Sequence, residues 1–406
     1  MSSTERRRGV SAGVLILAIG LSVRFPITSV SPLLADIGTA YGLSASGLAA
    51  LSSLPVLMFG LASPFAPLLV RRFGLSRAVT LLLALLALAT LVRPLATPLL
   101  FAGVILGGAA IALLGILAPQ IIRQGLAHRG GFWTGVYTTS FGVSAAVGAA
   151  FSVPLLHVLG ESVSAALMAW AVPLLIALGL ALGFGPGLAA PAGSEQLAAP
   201  VPRTSVFRAP GIWAVTGFFG CQALIYFALT AWLPTIALDR GLSPSAAGLL
   251  LAWLSIAGLP ASLVAPTLAS KPRLRTPLIV GVALLSAASL LGLAYGPIEF
   301  APLVVALLGI AQSGAFGLAI ALIVFTAPSA SQTAAFSAVS QGVGYAFAAA
   351  GPLVLGLLSQ AKIEWSAILL LLVGIAGVEL VFGVAGSRAS QRGTGHSPAA
   401  VTTAGE

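Results

Sequence analysis

Apolar residues fill this chain in long blocks, each broken by a short polar or glycine-proline segment. The blocks fall at roughly 10–33, 44–70, 76–95, 97–123, 131–158, 163–186, 211–238, 243–269, 275–296, 299–326, 332–360 and 364–386. Each reaches the length of about 20 residues that a helix needs to cross the hydrocarbon core. None shows the short alternating pattern of a barrel strand. The pattern predicts an all-α membrane protein of twelve transmembrane helices, numbered spans 1–12 in chain order.

One stretch breaks the rhythm. Residues 187–210 are polar and Pro-rich and form the longest connection, as expected of a linker. The expected organisation is an N-terminal tail (1–9), a six-helix half (10–186), this linker, a second six-helix half (211–386) and a C-terminal tail (387–406). An internal repeat supports two halves. Gly42-Leu43-Ser44 returns as Gly241-Leu242-Ser243, and at the same offset Ser63, Ala66 and Pro67 return as Ser262, Ala265 and Pro266. Arg72 likewise meets Lys271. Transporters built from parallel repeats hold their substrate near the midplane, between the repeats.

Composition agrees with a lipid solvent. Only 7% of residues are charged and 58% are hydrophobic, whereas a soluble domain carries about 25% charged residues. The net charge of +10 does not point to nucleic acid, because the basic residues sit in short clusters between apolar blocks. Fifteen of the 19 fall in alternate segments: Arg6, Arg7, Arg8, Arg71, Arg72, Arg77, Arg123, Arg129, Arg203, Arg208, Lys271, Arg273, Arg275, Arg388 and Arg392. The other loops hold Arg93, Arg240 and Lys362, with Asp36, Glu161, Asp239, Glu299 and Glu364. Positive segments stay inside, so both termini are expected in the cytoplasm and the chain in the inner membrane. The start resembles the basic region of a signal peptide, but the apolar block behind it is too long and lacks a small-residue cleavage site, so it reads as a retained first span.

Several kinds of chemistry find no support. The one cysteine, Cys221, sits in an apolar block and provides no disulfide framework or thiolate metal site. His128, His157 and His396 have no second ligand at metal spacing. There is no phosphate-binding glycine loop after a strand, and no cofactor is expected. A membrane enzyme would need clustered acids, bases or metal ligands at one depth, and the sequence offers none.

Arg24 is the sharpest feature. It lies inside span 1, where a central arginine costs about 2.5–3.5 kcal/mol on insertion scales. Its long side chain has room to snorkel to the interface, but Pro26 predicts a kinked, cavity-lining helix instead. The other intramembrane charge is Glu379 in span 12, where pairing with Arg24 is open but not favoured. An unpaired guanidinium suits an anionic or strongly dipolar solute. Thr28, one turn on, joins Arg24 as a candidate, with Gln120, Tyr137, Gln222, Tyr226, Gln312, Gln341 and Tyr345. Gln222 and Tyr226 are four apart and share a helix face, as do Gln341 and Tyr345. The competing assignment for each is hydrogen-bonded glue between helices. Spans 1–11 hold no convincing carboxylate relay, which leaves uncoupled transport, exchange, or a proton travelling with the substrate.

These residues also carry a resemblance. Arg71-Arg72-Phe73-Gly74 followed by Arg77 resembles the gating loop between spans 2 and 3 of the major facilitator superfamily, with Arg71 where that signature has Asp. Arg24-Phe25-Pro26-Ile27-Thr28-Ser29-Val30, Leu54-Pro55-Val56 and Thr134-Gly135-Val136-Tyr137-Thr138-Thr139 resemble the branch of cyanate and 2-nitroimidazole transporters. So do Trp232-Leu233-Pro234 and Gln341-Gly342-Val343-Gly344-Tyr345. The resemblance implies two pseudo-symmetric six-helix halves, alternating access, a small anion or small polar heterocycle as substrate, and the monomer usual for this architecture.

Overall fold

In a computed structural model, residues 3–188 and 206–392 are described, and every regular element among them is a helix. Backbone polar groups have no water to bond in lipid, so each span satisfies them internally. Span 1 runs Ser3–Ser22 and continues, after a break, through Phe25–Thr28. Span 2 is Ala45–Leu61, bending at 62–64 into the helix Phe65–Val92 that also carries span 3. Spans 4 and 5 are Thr97–Gly125 and Gly130–Val158. Span 6 is split into Val163–Ala169 and Ala171–Phe184. In the second half, span 7 is Ile212–Asp239 and span 8 is Pro244–Ile256 with Leu259–Leu268. Spans 9 and 10 are Pro272–Tyr295 and Ala301–Thr326. Span 11 is Thr333–Ala348 with Ala350–Gln360, and span 12 is Trp365–Arg392.

Among the described residues, eleven helical segments are long and apolar enough to cross a membrane. Span 2 makes the twelfth, divided at its bend: Ala45–Leu61 alone has 17 residues. Beyond that bend, Phe65–Val92 is one helical run except at Gly74, where φ of 76° and ψ of 160° turn the chain. Only glycine adopts that φ without strain. Helix also continues into both stretches expected as tails, from Ser3 and through Arg392. The expected linker lies mostly outside the described residues, and its flanks end in single turns at Gly185–Leu188 and Val206–Arg208.

The repeat is visible in the backbone. Gly42 and Gly241 both take positive φ, 62° and 88°. Directly after them, Ser44 and Ser243 cap spans 2 and 8 by accepting from Gly47 N and Ala246 N at 3.3 Å. Both spans then bend a little past their middles, at 62–64 and 257–258. Large apolar side chains such as Leu81, Leu88, Ile176, Leu182, Leu284 and Val381 stay exposed on spans 3, 6, 9 and 12. These face lipid, since a helix that is apolar all round needs no aqueous side. Span 5 packs on span 8 and span 2 on span 11 across the halves, and spans 4 and 10 add contacts between them.

Candidate functional site

The site begins with the break in span 1. Pro26 has no N–H to give, so the helical ladder cannot pass through it. Val23 N donates to Ile19 O at 3.1 Å, and the next turn hangs on one carbonyl. Arg24 O accepts from Ile27 N at 3.1 Å, Thr28 N at 3.0 Å and Thr28 Oγ1 at 3.0 Å. The Arg24 side chain turns to the space between the halves, with its guanidinium carbon 4.8 Å from the centre of the Phe141 ring. This is a cation–π arrangement. Its Nε has no hydrogen-bond partner.

A cavity of about 620 Å³ lies there, walled by spans 1, 2, 5, 7, 8, 10 and 11. Among the described residues no carboxylate lines it, and Arg24 is the one charged group there. One side is aromatic. Phe141 and Phe316 stack with centroids 6.1 Å apart, and Tyr345 sits 5.4 Å from Phe59 and 4.9 Å from Phe219. The other side is amide. Gln222 Nε2 donates to Gln312 O at 3.2 Å, and Gln312 Nε2 donates to Ser286 Oγ on span 9 at 2.9 Å. Gln222 Oε1 is left without a donor.

Six of the nine candidates from the sequence line this wall: Arg24, Thr28, Gln222, Tyr226, Gln312 and Tyr345. Three do not. Gln341 is spent between helices, donating to Ser337 Oγ at 2.7 Å and to Gly115 O of span 4 at 3.3 Å. Tyr137 is buried behind Phe141, with ring centroids 5.9 Å apart. Gln120 is buried off the wall, its Oε1 unpartnered. In the expected gating loop, Arg71, Arg72 and Arg77 are exposed around the Gly74 turn, and Arg72 lies 5.7 Å from the Phe73 ring. Glu379 is fully buried between spans 12, 7 and 9, with neither oxygen bonded, and does not reach the cavity.

The sequence reading missed two groups. Phe141, Phe316 and Ser262 line the cavity, yet two apolar residues and a serine inside apolar spans give no sequence signal. Arg93, assigned by charge counting to a loop, is only 2% exposed and bonds through Nη1 to Pro26 O. It lines a second cavity, of about 740 Å³, walled by spans 1, 2, 3, 4, 7 and 11.

Both cavities lie between the middle of the bundle and the face opposite the chain ends. On the face carrying those ends the halves are closed together. Arg123 Nη1 of span 4 donates to Val324 O of span 10. Gly131 and Gly135 of span 5 press on the backbone of Pro266 and Leu263 in span 8, so closely that a side chain on either would collide. Thr138 Oγ1 donates to Ser262 O at 2.8 Å, and the Thr139 and Ser262 hydroxyls pair at 2.7 Å.

Two bent halves around a central cavity, closed at one face, are matched by what the chain resembles. The Major Facilitator Superfamily model matches residues 10–307. The chain belongs to the major facilitator superfamily. Such a member is a multi-pass membrane transporter, not an enzyme. It is 33% identical over 386 residues to the 2-nitroimidazole transporter of Escherichia coli (strain K12), covering 95% of this chain and 96% of that one. It is 27% identical over 375 residues to the cyanate transport protein CynX of the same organism, covering 91% and 96%. Its fold superposes on the superfamily transporter FucP in the outward conformation, with a TM-score of 0.70 at 16% identity over 93% of this chain and 99% of that one.

Proposed function

We propose that this superfamily member carries a small anion of the cyanate type across the inner membrane by alternating access, with Arg24 as the anchor. The observation that carries this reading is charge balance. A guanidinium faces a cavity whose wall holds no carboxylate, and an anion supplies the charge-assisted bonds it lacks. The 27% identical relative is named for cyanate transport. Lys and Arg on the closed face support both termini in the cytoplasm. On that reading the cavities open to the outside, and rocking of the halves about the midplane exchanges the closed face. Gln222, Gln312, Tyr226, Tyr345 and Thr28 complete the pocket, and Arg71, Arg72, Gly74 and Arg77 act in the loop that changes shape.

A second reading has its own support. The stacked Phe141 and Phe316 with Tyr345 form a wall suited to a flat ring, and the volume far exceeds what a three-atom anion fills. The 33% identical relative is named for 2-nitroimidazole. Arg24 would then hold the nitro oxygens. Counterflow in proteoliposomes separates the two, with labelled cyanate against labelled 2-nitroimidazole. Arg24→Gln is expected to lower uptake of the true substrate about 100-fold, the worth of a lost charged hydrogen bond of up to about 3 kcal/mol. Arg24→Lys, which loses the planar fork, is expected to recover little. Uptake unchanged in both variants would remove Arg24 from the site.

A further inference from the structure

Arg93 has a burial that the central cavity does not explain. It stands at the end of span 3, packed so closely on Gly103 of span 4 that no side chain fits between them. Its Nη1 is used by Pro26 O, a carbonyl that the Val30 N to Ile27 O bond leaves free in the broken turn. Its Nε and Nη2 have no partner. Two further buried donors around the same turn also lack partners: Ser29 Oγ, and Nε1 of Trp170, which stacks on Phe25 at 4.8 Å. The Tyr41 hydroxyl is engaged with Pro94 O, the carbonyl next in the chain to Arg93, at 2.8 Å. None of the residues lining the 740 Å³ cavity beside Arg93 is acidic. A buried cation with two idle donors and no counter-charge is a costly arrangement, and one that an anion relieves.

This cavity and the Arg24 cavity have different walls and share a single residue, Phe227. The two arginines also grip the same turn of span 1 from different cavities, Arg24 opening it and Arg93 bonding the Pro26 carbonyl. We propose that Arg93 is the centre of a second anion-binding position, which takes a small monovalent anion before it passes Phe227 to Arg24. Binding at Arg93 stands on its own geometry; the passage to Arg24 rests on the small-anion reading above.

Bromide is the probe for the position itself. In bromide-soaked crystals of the full chain, an anomalous peak is expected within hydrogen-bond distance of Arg93 Nε or Nη2. The peak should persist in Arg24→Gln and vanish in Arg93→Gln. No peak at Arg93 in wild type and Arg24→Gln, or one that survives Arg93→Gln, overturns the proposal. The passage is tested by cyanate counterflow. Arg93→Gln should raise the half-saturating concentration about tenfold, the worth of one charge-assisted bond, with the maximal rate kept. A fall in maximal rate at unchanged half-saturation would instead make Arg93 a brace for Pro26 and overturn the passage. Chloride raising half-saturation in wild type but not in Arg93→Gln would show that bulk halide uses the position too, which supports it. Should Arg93→Gln fail to fold, bromide in Arg24→Gln and the kinetics of Arg93→Lys, which keeps the charge, still decide. Wild type that holds bromide at Arg93 but moves no cyanate would remove the small-anion transport reading and leave the binding position standing.

Discussion

Two of the seams between the halves, spans 5 with 8 and spans 2 with 11, are related by the repeat yet built differently. The repeat puts a serine at each, Ser262 in span 8 and Ser63 in span 2. Ser262 is tied across the gap, taking Thr138 Oγ1 on its carbonyl at 2.8 Å and the Thr139 hydroxyl on its own at 2.7 Å. Ser262 Oγ gives its proton to Leu259 O at 2.7 Å, so Thr139 is the donor in that pair. Ser63 donates instead to its own helix, to Gly60 O at 2.8 Å, and meets span 11 by packing on Gly342. The duplicated sequence thus keeps a packing position while the chemistry at it has diverged. One seam is pinned by hydrogen bonds and by backbone touching backbone. The other is held by a side chain fitting over a glycine.

The largest expected effect tests the backbone contact. At Gly135 a methyl group would lie 2.5 Å from Leu263 O and 3.0 Å from Leu263 Cα. Gly135→Ala is therefore expected to destabilise the closed arrangement by about 1–3 kcal/mol, seen as a lower melting temperature in detergent. No substitution at Leu263 should restore it, because the obstacle is main chain. Next comes Gly342→Ala, whose methyl group would collide with the Ser63 side chain. Its loss should be similar or smaller, and Ser63→Gly in the same chain should recover most of it; additive losses in that double-mutant cycle would mean the contact is not the cause. The smallest effect belongs to Thr139→Val, which removes one hydroxyl pair and should cost about 1 kcal/mol. Ser63→Ala, with no bond across its seam, serves as its control. Equal losses in the two would mean that the seams do not differ.

Much of this architecture is legible in the residues. Twelve apolar blocks, the broken first span at Pro26 and the repeat all appear in the helices, and the Gly74 turn falls in the short loop that the basic cluster marks. The site is legible only in part, and a pair of equal spacings shows why. Gln222 and Tyr226 are four apart and both reach the cavity. Gln341 and Tyr345 have the same spacing, yet the cavity ends between them, and Gln341 bonds Gly115 instead. Spacing fixes which face of a helix residues share, not how far along that face the open space extends. Phe141 and Phe316 were hidden for a different reason. In lipid every face of a span is apolar, so hydrophobicity no longer marks what is inside. Arg93 was hidden by position, since charge counting assigns a span end to a loop, while its burial depends on Gly103, which only the packing of span 4 on span 3 brings near.

The chain contains one cysteine, Cys221, and it is 2% exposed within span 7. This chain is therefore already a nearly silent background for thiol-directed labels. A reporter cysteine placed at exposed Arg129 of the first half or at exposed Arg273 of the second can be read without first stripping the chain of thiols. Spin or fluorescent labels on such pairs would follow the rocking of the halves as changing distances, in a molecule otherwise left as it is.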